Sequence, residues 1–539
     1  MDQKRAIIAV VLSMVVLILW SYIYSPQPKQ QAPDAATTAQ TAPAGQQGTA
    51  PETTLSSAAD AATAPGTFTA AKGVDVTVDT PLYTAVFTTE GGVLKHLRLK
   101  QYRQSIAADA KPVDLVGPEA LDKGPLGLLW NGQATWRAGQ WSADAQSLSL
   151  DKGQSGVLTF TGRLGDLVIV RTISVSADNY LMDEEVTLHN GTATPMTGRL
   201  GYSLATARLT AEDDRYNQTR VSWKDAEGLD DESDAEDDLA AGLMRQNGVL
   251  WGAVQSNYFI VAAAPEIGET VLKAKYEDGV YRVAMEKGDV PLPASGQAVQ
   301  HNAWYLGPVV AENLAAAPNG LDDALNYGFF DIIAKPLMAG VNYFYGFTGN
   351  YGWAIIILTV VIKIIFWPLS HKSYKSMNKM KKIQPLMADV REKYKDDREK
   401  MNQEMIRLYK TYKVNPAGGC LPMMLQIPVF IGLYQALLGT IELRHAPFIT
   451  HLPFTDMVWL ADLSAKDPFY ITPIIMGATM FLQQKMTPAP GDPTQAKIML
   501  FLPVIFTFVF LNFPSGLVVY WLVNNILSIA QQGYLTRQS

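Results

Sequence analysis

The 539-residue chain reads as a polytopic α-helical membrane protein that carries a large all-β domain. Three observations predict this. Apolar residues make up 48% of the chain, and they concentrate at its start and after residue 350. Between these regions, from about residue 67 to 315, apolar and polar residues alternate with period two, as in half-buried strands. A basic block then interrupts the apolar half. Residues 371–413 hold 13 Lys/Arg against 6 Asp/Glu, a net of +7 in a chain whose overall charge is −7. The single cysteine, Cys420, excludes an intramolecular disulfide framework and a cysteine-cluster metal site.

The first element is "AIIAVVLSMVVLILWSYIY", residues 6–24, preceded by Lys4 and Arg5. At about 1.5 Å per residue it reaches roughly 28 Å, enough to cross a bilayer core. A cleaved signal peptide is the alternative, but its apolar region is usually shorter and ends at small residues. Here the run ends in Trp20, Tyr22 and Tyr24, ring types that anchor at a membrane interface. Residues 1–24 are therefore expected to be an uncleaved anchor. Residues 25–66, rich in Ala, Pro, Thr and Gln, follow as a flexible tether.

The strand region, 67–315, contains "VDVTVDT" (74–80), "YTAVFTT" (83–89), "VLKHLRLK" (93–100), "LVIVRTISVS" (167–176) and "EEVTLHN" (184–190). Gly91–Gly92 predicts a hairpin turn, and "GVLWGAVQSNYFIVAAA" (248–264) a more buried strand pair. Such a length of short strands predicts a large β-sandwich. The acidic run 227–238 reads as a solvated loop and lacks the spacing of an EF-hand calcium loop. His96, His189 and His301 show no catalytic spacing and read as structural. A sugar-binding or sugar-converting sandwich is an alternative resting on fold analogy alone.

Residues 316–350 mix aromatic rings with Asp322, Asp323, Asp331 and Lys335. They predict an amphipathic helix in the membrane interface, the alternative being a helix packed on the β-domain. Five further spans are expected at 351–369, 421–441, 468–484, 498–512 and 515–530, within segments 351–370 and 420–539. The last two form a tight hairpin about "NFPSG". At roughly 24 Å they fall short of a typical core of about 30 Å, which predicts local bilayer thinning. The positive-inside rule places both termini and the basic block in the cytoplasm, and the β-domain opposite.

The block, 371–419, is itself patterned. Met377, Met380, Ile383 and Met387 recur at helical spacing, as do Met401, Met405 and Leu408, with "KDDRE" at 395–399 between the runs. This predicts a helical hairpin. Its methionines either hold the hairpin together or meet a varied apolar partner.

Within "LTVVIKIIFWPL" (358–369), Lys363 lies about 9 Å from the cytoplasmic end of its span. Facing lipid would cost it a few kcal/mol, on the order of 2.5–3.5. Two readings follow: the side chain snorkels along its own helix, or it faces a wet space among the helices. Thr359, Gln426, Gln435, Asn524, Asn525 and Ser528 supply polar groups for such a space. The residues alone leave an ion or solute transporter and a protein-inserting machine as rivals.

The segments "VNPAGGCLPMMLQIPVFIGLYQAL" (414–437), "ELRHAPF" (442–448), "DPFYITPIIMGATMFLQQKM" (467–486) and "LPVIFTFVFLNFPSGLVVYWLVNNI" (502–526) closely resemble the YidC family of membrane protein insertases. The resemblance covers 345–535, and the anchor, tether and β-domain match the longer Gram-negative form. It implies six transmembrane helices, five of them forming the insertase core, with a periplasmic β-supersandwich. It also implies an inner-membrane location and a hydrophilic groove open to cytoplasm and lipid. By position, Lys363 takes the place of the family's groove cation, commonly arginine; it keeps the charge without the planar fork. Tyr520 and Trp521 resemble the apolar slide that substrates contact.

The partners implied are nascent membrane proteins, the Sec translocon and membrane lipids. The chain ends at "GYLTRQS" without the long basic tail of some relatives, so any ribosome contact is expected to be made without one. No P-loop is present, and no catalytic residue, cofactor, metal or nucleic-acid recognition is expected.

Overall fold

The computed structural model describes residues 73–537 except 139, 211–215, 235–236, 247, 413, 415–420 and 488–492. The expected anchor, most of the segment before the strands, and Cys420 therefore lie outside the described residues.

Three antiparallel-rich sheets build the β-domain. Nine strands form the largest, in the order Leu229–Glu232, Arg220–Lys224, Trp251–Gln255, Phe259–Pro265, Gln297–Pro308, Leu181–Asn190, Leu167–Ser176, Ser155–Leu164 and Gln140–Ala143. A six-stranded sheet, centred on Met196–Ala207 and Val280–Leu292, packs against its inner face. Five further strands, including Tyr83–Thr88 and Val93–Arg103, pack alongside, with Phe87 meeting Phe160 at 5.6 Å. Between the layers lie Trp223, Trp251 and Trp304, all fully buried. The glycine turn forms as expected: Gly91 and Gly92 take φ of 88° and 64°, a region that disfavours a side chain, and antiparallel strands pair across it.

One core position is charged. Arg171 and Glu184 are both fully buried and pair at 2.5 Å. Arg171 also donates to the carbonyls of Gly92 at 2.5 Å and Leu126 at 2.6 Å, while Trp304 Nε1 donates to Glu184 at 2.6 Å. The guanidinium thereby ties the nine-stranded sheet to two loops from other layers.

The packed β-core also takes in Leu314, Leu321 and Ala324. Its boundary therefore lies past the expected residue 315. Asn319 fixes this extension by donating to the carbonyls of Leu250 and Pro265 at 3.0 and 2.9 Å.

Seven helices of the second half can be labelled α1 (Asp331–Thr348), α2 (Tyr351–Lys393), α3 (Arg398–Thr411), α4 (Leu421–Gly439), α5 (Ile471–Met486), α6 (Pro493–Phe510) and α7 (Ser515–Arg537). The expected interfacial helix is thus shorter than 316–350. It buries Ala334, Met338 and Val341 against α2 and α4, rather than packing on the β-domain. Its other face exposes Ile332, Tyr343 and Phe347. The expected span 351–370 and the first arm of the hairpin are one continuous helix of 43 residues, which runs through Pro368 and Pro385. Nothing in the local sequence caps a helix near residue 370, and the backbone ladder does not stop where the apolar run does. The same reason lengthens the helices α6 and α7 to 18 and 23 residues, while the apolar part of α6 is the short stretch Ile498–Phe510. α5, at 16 residues, is about 24 Å long. Among the described residues, α2 alone is both long and apolar enough to cross a membrane by length and composition.

The last two helices are joined by the expected tight turn and meet through Trp521, whose ring lies 5.1 Å from Phe510 and 6.1 Å from Phe506. α6 packs on α5, and α7 on α5 and α2. Where α5 crosses α6, a Cβ at Gly477 would lie 1.9 Å from Thr507 Oγ1, so only glycine permits this approach. The turn is tied down by Ser515, whose hydroxyl donates to the carbonyl of Asp462 at 3.0 Å.

Candidate functional site

Helical spacing places Thr359 and Lys363 one turn apart on α2, on the side that meets α7. Both are buried; Lys363 is 9% exposed. Its ammonium turns into the α2–α7 contact and donates to Ser528 Oγ at 2.8 Å, instead of running along its own helix to the surface. Ser528 donates in turn to the backbone carbonyl of Asn524 at 2.7 Å. Thr359 donates to the carbonyl of Ile355 at 2.6 Å. Asn525 turns to α5, where its amide donates to Thr479 Oγ1 at 3.4 Å.

The structure thus brings Lys363, Thr359 and Ser528 to one buried α2–α7 seam, to which half-buried Asn524 contributes its carbonyl, while buried Asn525 faces α5. It places the two glutamines elsewhere on α4. Gln426 is half-buried, and Gln435 lines an aromatic cavity. The seam also extends further than expected, through buried Ser370 and Ser373 on α2 and buried Gln531 and Gln532 on α7. A signal was available: positions 359, 363, 370 and 373 share one helical face, and so do 525, 528 and 532.

Beside the seam lies an aromatic cluster. Tyr520 is buried and stacks near-parallel on Phe430 at 6.2 Å. Half-buried Trp521 meets Phe430 edge-on at 4.4 Å, and Phe510 at 5.1 Å. These rings adjoin a cavity of about 370 Å³ lined by Phe330, Phe430, Tyr434, Gln435, Phe510 and Phe513. The Oε1 of Gln435 is buried without a hydrogen-bond partner among the described residues. The rings of α4 and α6 were not singled out in the sequence, because an apolar run does not reveal which of its rings face inward.

The basic hairpin forms, with Lys393 ending one helix and Asp397 capping the next through Lys400 N at 3.0 Å. Met380, Met387 and Met405 pack with Ile383, Leu408 and Val414 in a small core of its own. Met377 and Met401 are half-buried outside that core. Large apolar side chains stand exposed along the helices, among them Ile364, Ile365, Phe501 and Phe508 at 64–68%. A bundle meant for water would bury them. Among the described residues no three His, Cys, Asp or Glu side chains gather as a metal site would require.

Fold and seam together define a membrane protein with a helical core and a large β-domain outside it. The family described as "60Kd inner membrane protein" matches residues 343–539, and the one described as "YidC periplasmic domain" matches 75–339. The membrane protein insertase YidC of Nitratidesulfovibrio vulgaris (strain DSM 19637 / Miyazaki F) is 56% identical over 546 residues, with all of both chains covered. That of Oleidesulfovibrio alaskensis is 53% identical, again over all of both chains. A crystal structure of an active YidC insertase covers 85% of this chain and 91% of its own, at 19% identity and a TM-score of 0.36. The chain belongs to the YidC family of membrane protein insertases. It is an inner-membrane protein with a periplasmic β-domain, and it moves polypeptide rather than turning over a covalent substrate.

Proposed function

We propose that this insertase admits a nascent chain at the α2–α7 seam and releases its apolar span along the neighbouring aromatic cluster. The carrying observation is the ammonium of Lys363, buried in the helical core with a serine hydroxyl as its hydrogen-bond partner and no carboxylate paired to it among the described residues. A cation so placed attracts the acidic or polar stretch that must cross first. Thr359, Asn524, Asn525 and Ser528 line its path. Gln426 and Gln435 on α4 lie off this seam and are assigned to the exit side, Gln435 within the aromatic cavity.

The span that follows needs no external energy source. Each Leu, Ile, Phe or Val gains on the order of 0.3–0.6 kcal/mol at the bilayer centre. Tyr520 and Trp521, backed by Phe430 and Phe510, offer the apolar surface along which it leaves. The hairpin, with Met377 and Met401 outside its core, receives the chain on the cytoplasmic side, where a ribosome would also approach. This reading takes six spans, both termini in the cytoplasm, and the Sec translocon as a partner for longer substrates.

The test is insertion of a single-span substrate with an acidic translocated tail into liposomes, read by protease protection. Lys363→Glu is expected to abolish insertion, and a basic tail to restore it. Normal insertion by both Lys363→Ala and Lys363→Glu would refute the charge-attraction step.

A further inference from the structure

We infer that Ser528 is the resting ligand of the Lys363 ammonium, and that an incoming carboxylate docks by taking its place, which makes Ser528 a residue that sets substrate acidity. This rests on the reading of Lys363 given above.

The hydrogen bonds fix the polarity of the contact. A serine hydroxyl has one hydrogen and two lone pairs. The hydrogen of Ser528 is committed to the carbonyl of Asn524 at 2.7 Å, so towards Lys363, at 2.8 Å, the oxygen acts only as an acceptor. Neither neighbouring polar side chain competes for this place. Thr359 is held by its own helix at the carbonyl of Ile355, and Asn525 points to Thr479 of α5. Among the described residues the ammonium therefore rests on one neutral oxygen, although it can donate three hydrogen bonds.

A carboxylate is the stronger partner, because hydrogen bonds between two ionised groups are roughly twice as strong as neutral ones. Ser528 is thus strong enough to hold the lysine in register with α7, and weak enough to be displaced by a carboxylate but not by a neutral amide. The contact is a threshold as well as a support.

The experiment uses the full chain in liposomes and a single-span substrate whose translocated tail carries no, one, two or three acidic residues. Ser528→Ala removes the competing oxygen and is expected to raise insertion of the one-acid tail about threefold, flattening the dependence on tail acidity. Ser528→Thr keeps the hydroxyl and is expected to retain the dependence on tail acidity that Ser528→Ala loses. Ser528→Asp supplies a permanent carboxylate to Lys363 and is expected to cut insertion of every acidic tail by about tenfold or more, in line with the stronger charged bond. An acidity profile unchanged by both Ser528→Ala and Ser528→Asp would overturn the assignment. The Lys363→Ala variant separates the two levels. If it loses the acidity dependence while the Ser528 variants keep it, the inference about Ser528 fails alone. If it keeps the dependence, both fail. Thermal unfolding of each Ser528 variant in detergent, expected to match the wild type, separates these effects from a general folding defect.

Discussion

Among the described residues two basic side chains are buried, Arg171 and Lys363, and they are treated in opposite ways. Arg171, in the β-domain, is surrounded by partners: the carboxylate of Glu184, itself held by Trp304, and two backbone carbonyls. Lys363, in the helical core, has a serine oxygen. A buried charge kept for architecture is compensated completely, since each missing partner would leave desolvation unopposed. A charge kept for binding must remain partly unsatisfied, so that an arriving ligand has something to gain.

Truncating each cation should sharpen this contrast. Arg171→Ala leaves Glu184 buried and unpaired, and is expected to destabilise the β-domain by about 3–5 kcal/mol. Chemical unfolding of the full chain in detergent, followed by tryptophan fluorescence, would measure it. Replacing both partners, as Arg171→Met with Glu184→Leu, should recover only part of the loss, because Trp304 and two carbonyls lose their partners as well. By contrast, Lys363→Met should leave that unfolding curve in place while lowering insertion of an acidic-tailed substrate at least about tenfold, or ~1.4 kcal/mol. If Lys363→Met instead unfolded the protein and kept its activity, the two cations would be of one kind.

A smaller effect is expected from Gly477→Ala. Its Cβ would press on Thr507 and force α5 from α6, at a cost of about 1–3 kcal/mol in the thermal stability of the helical core. The smallest concerns Asp183, on the outer face of the same strand as Glu184. Partial desolvation on that otherwise exposed face raises its carboxyl above the usual range. The folded form then holds its proton more tightly than the unfolded chain. Stability from this group is present in acid and is lost as pH rises through the folded pKa. Asp183→Asn should therefore stabilise the β-domain slightly at neutral pH and leave it unchanged in acid, as pH-dependent unfolding would reveal.

Much of this was legible in the sequence where local pattern governs. The strand 167–176 forms with the bounds that its alternation predicts. The break at "KDDRE" falls between α2 and α3 because Asp397 supplies a helix cap. Lys363 stood out because an ionisable group in an apolar run is rare. What escaped depends on contacts distant in the chain: Ser528 lies 165 positions from Lys363, and Glu184 lies across a strand pair from Arg171. A hint of the second pair was nevertheless present. Arg171 occupies an inward position between Ile169 and Ile173, and Glu184 one between Met182 and Val186, where alternation calls for apolar side chains. Helix ends misled where apolar composition stopped but the backbone ladder continued, as at residue 370.

The continuity of α2 has a mechanical consequence. From Lys363 to its end at Lys393 the helix is about 45 Å long, and its outer part is the first arm of the hairpin, whose turn lies at the tip beyond a second proline, Pro385. Pro368 lies only five residues from the lysine and cannot donate to the carbonyl of Ile364, so the helix has a pliable joint near its short arm. A tilt of one degree about that joint moves the tip by roughly 0.65 Å. Load applied to the hairpin is thereby levered, at reduced amplitude, onto the lysine's grip on α7.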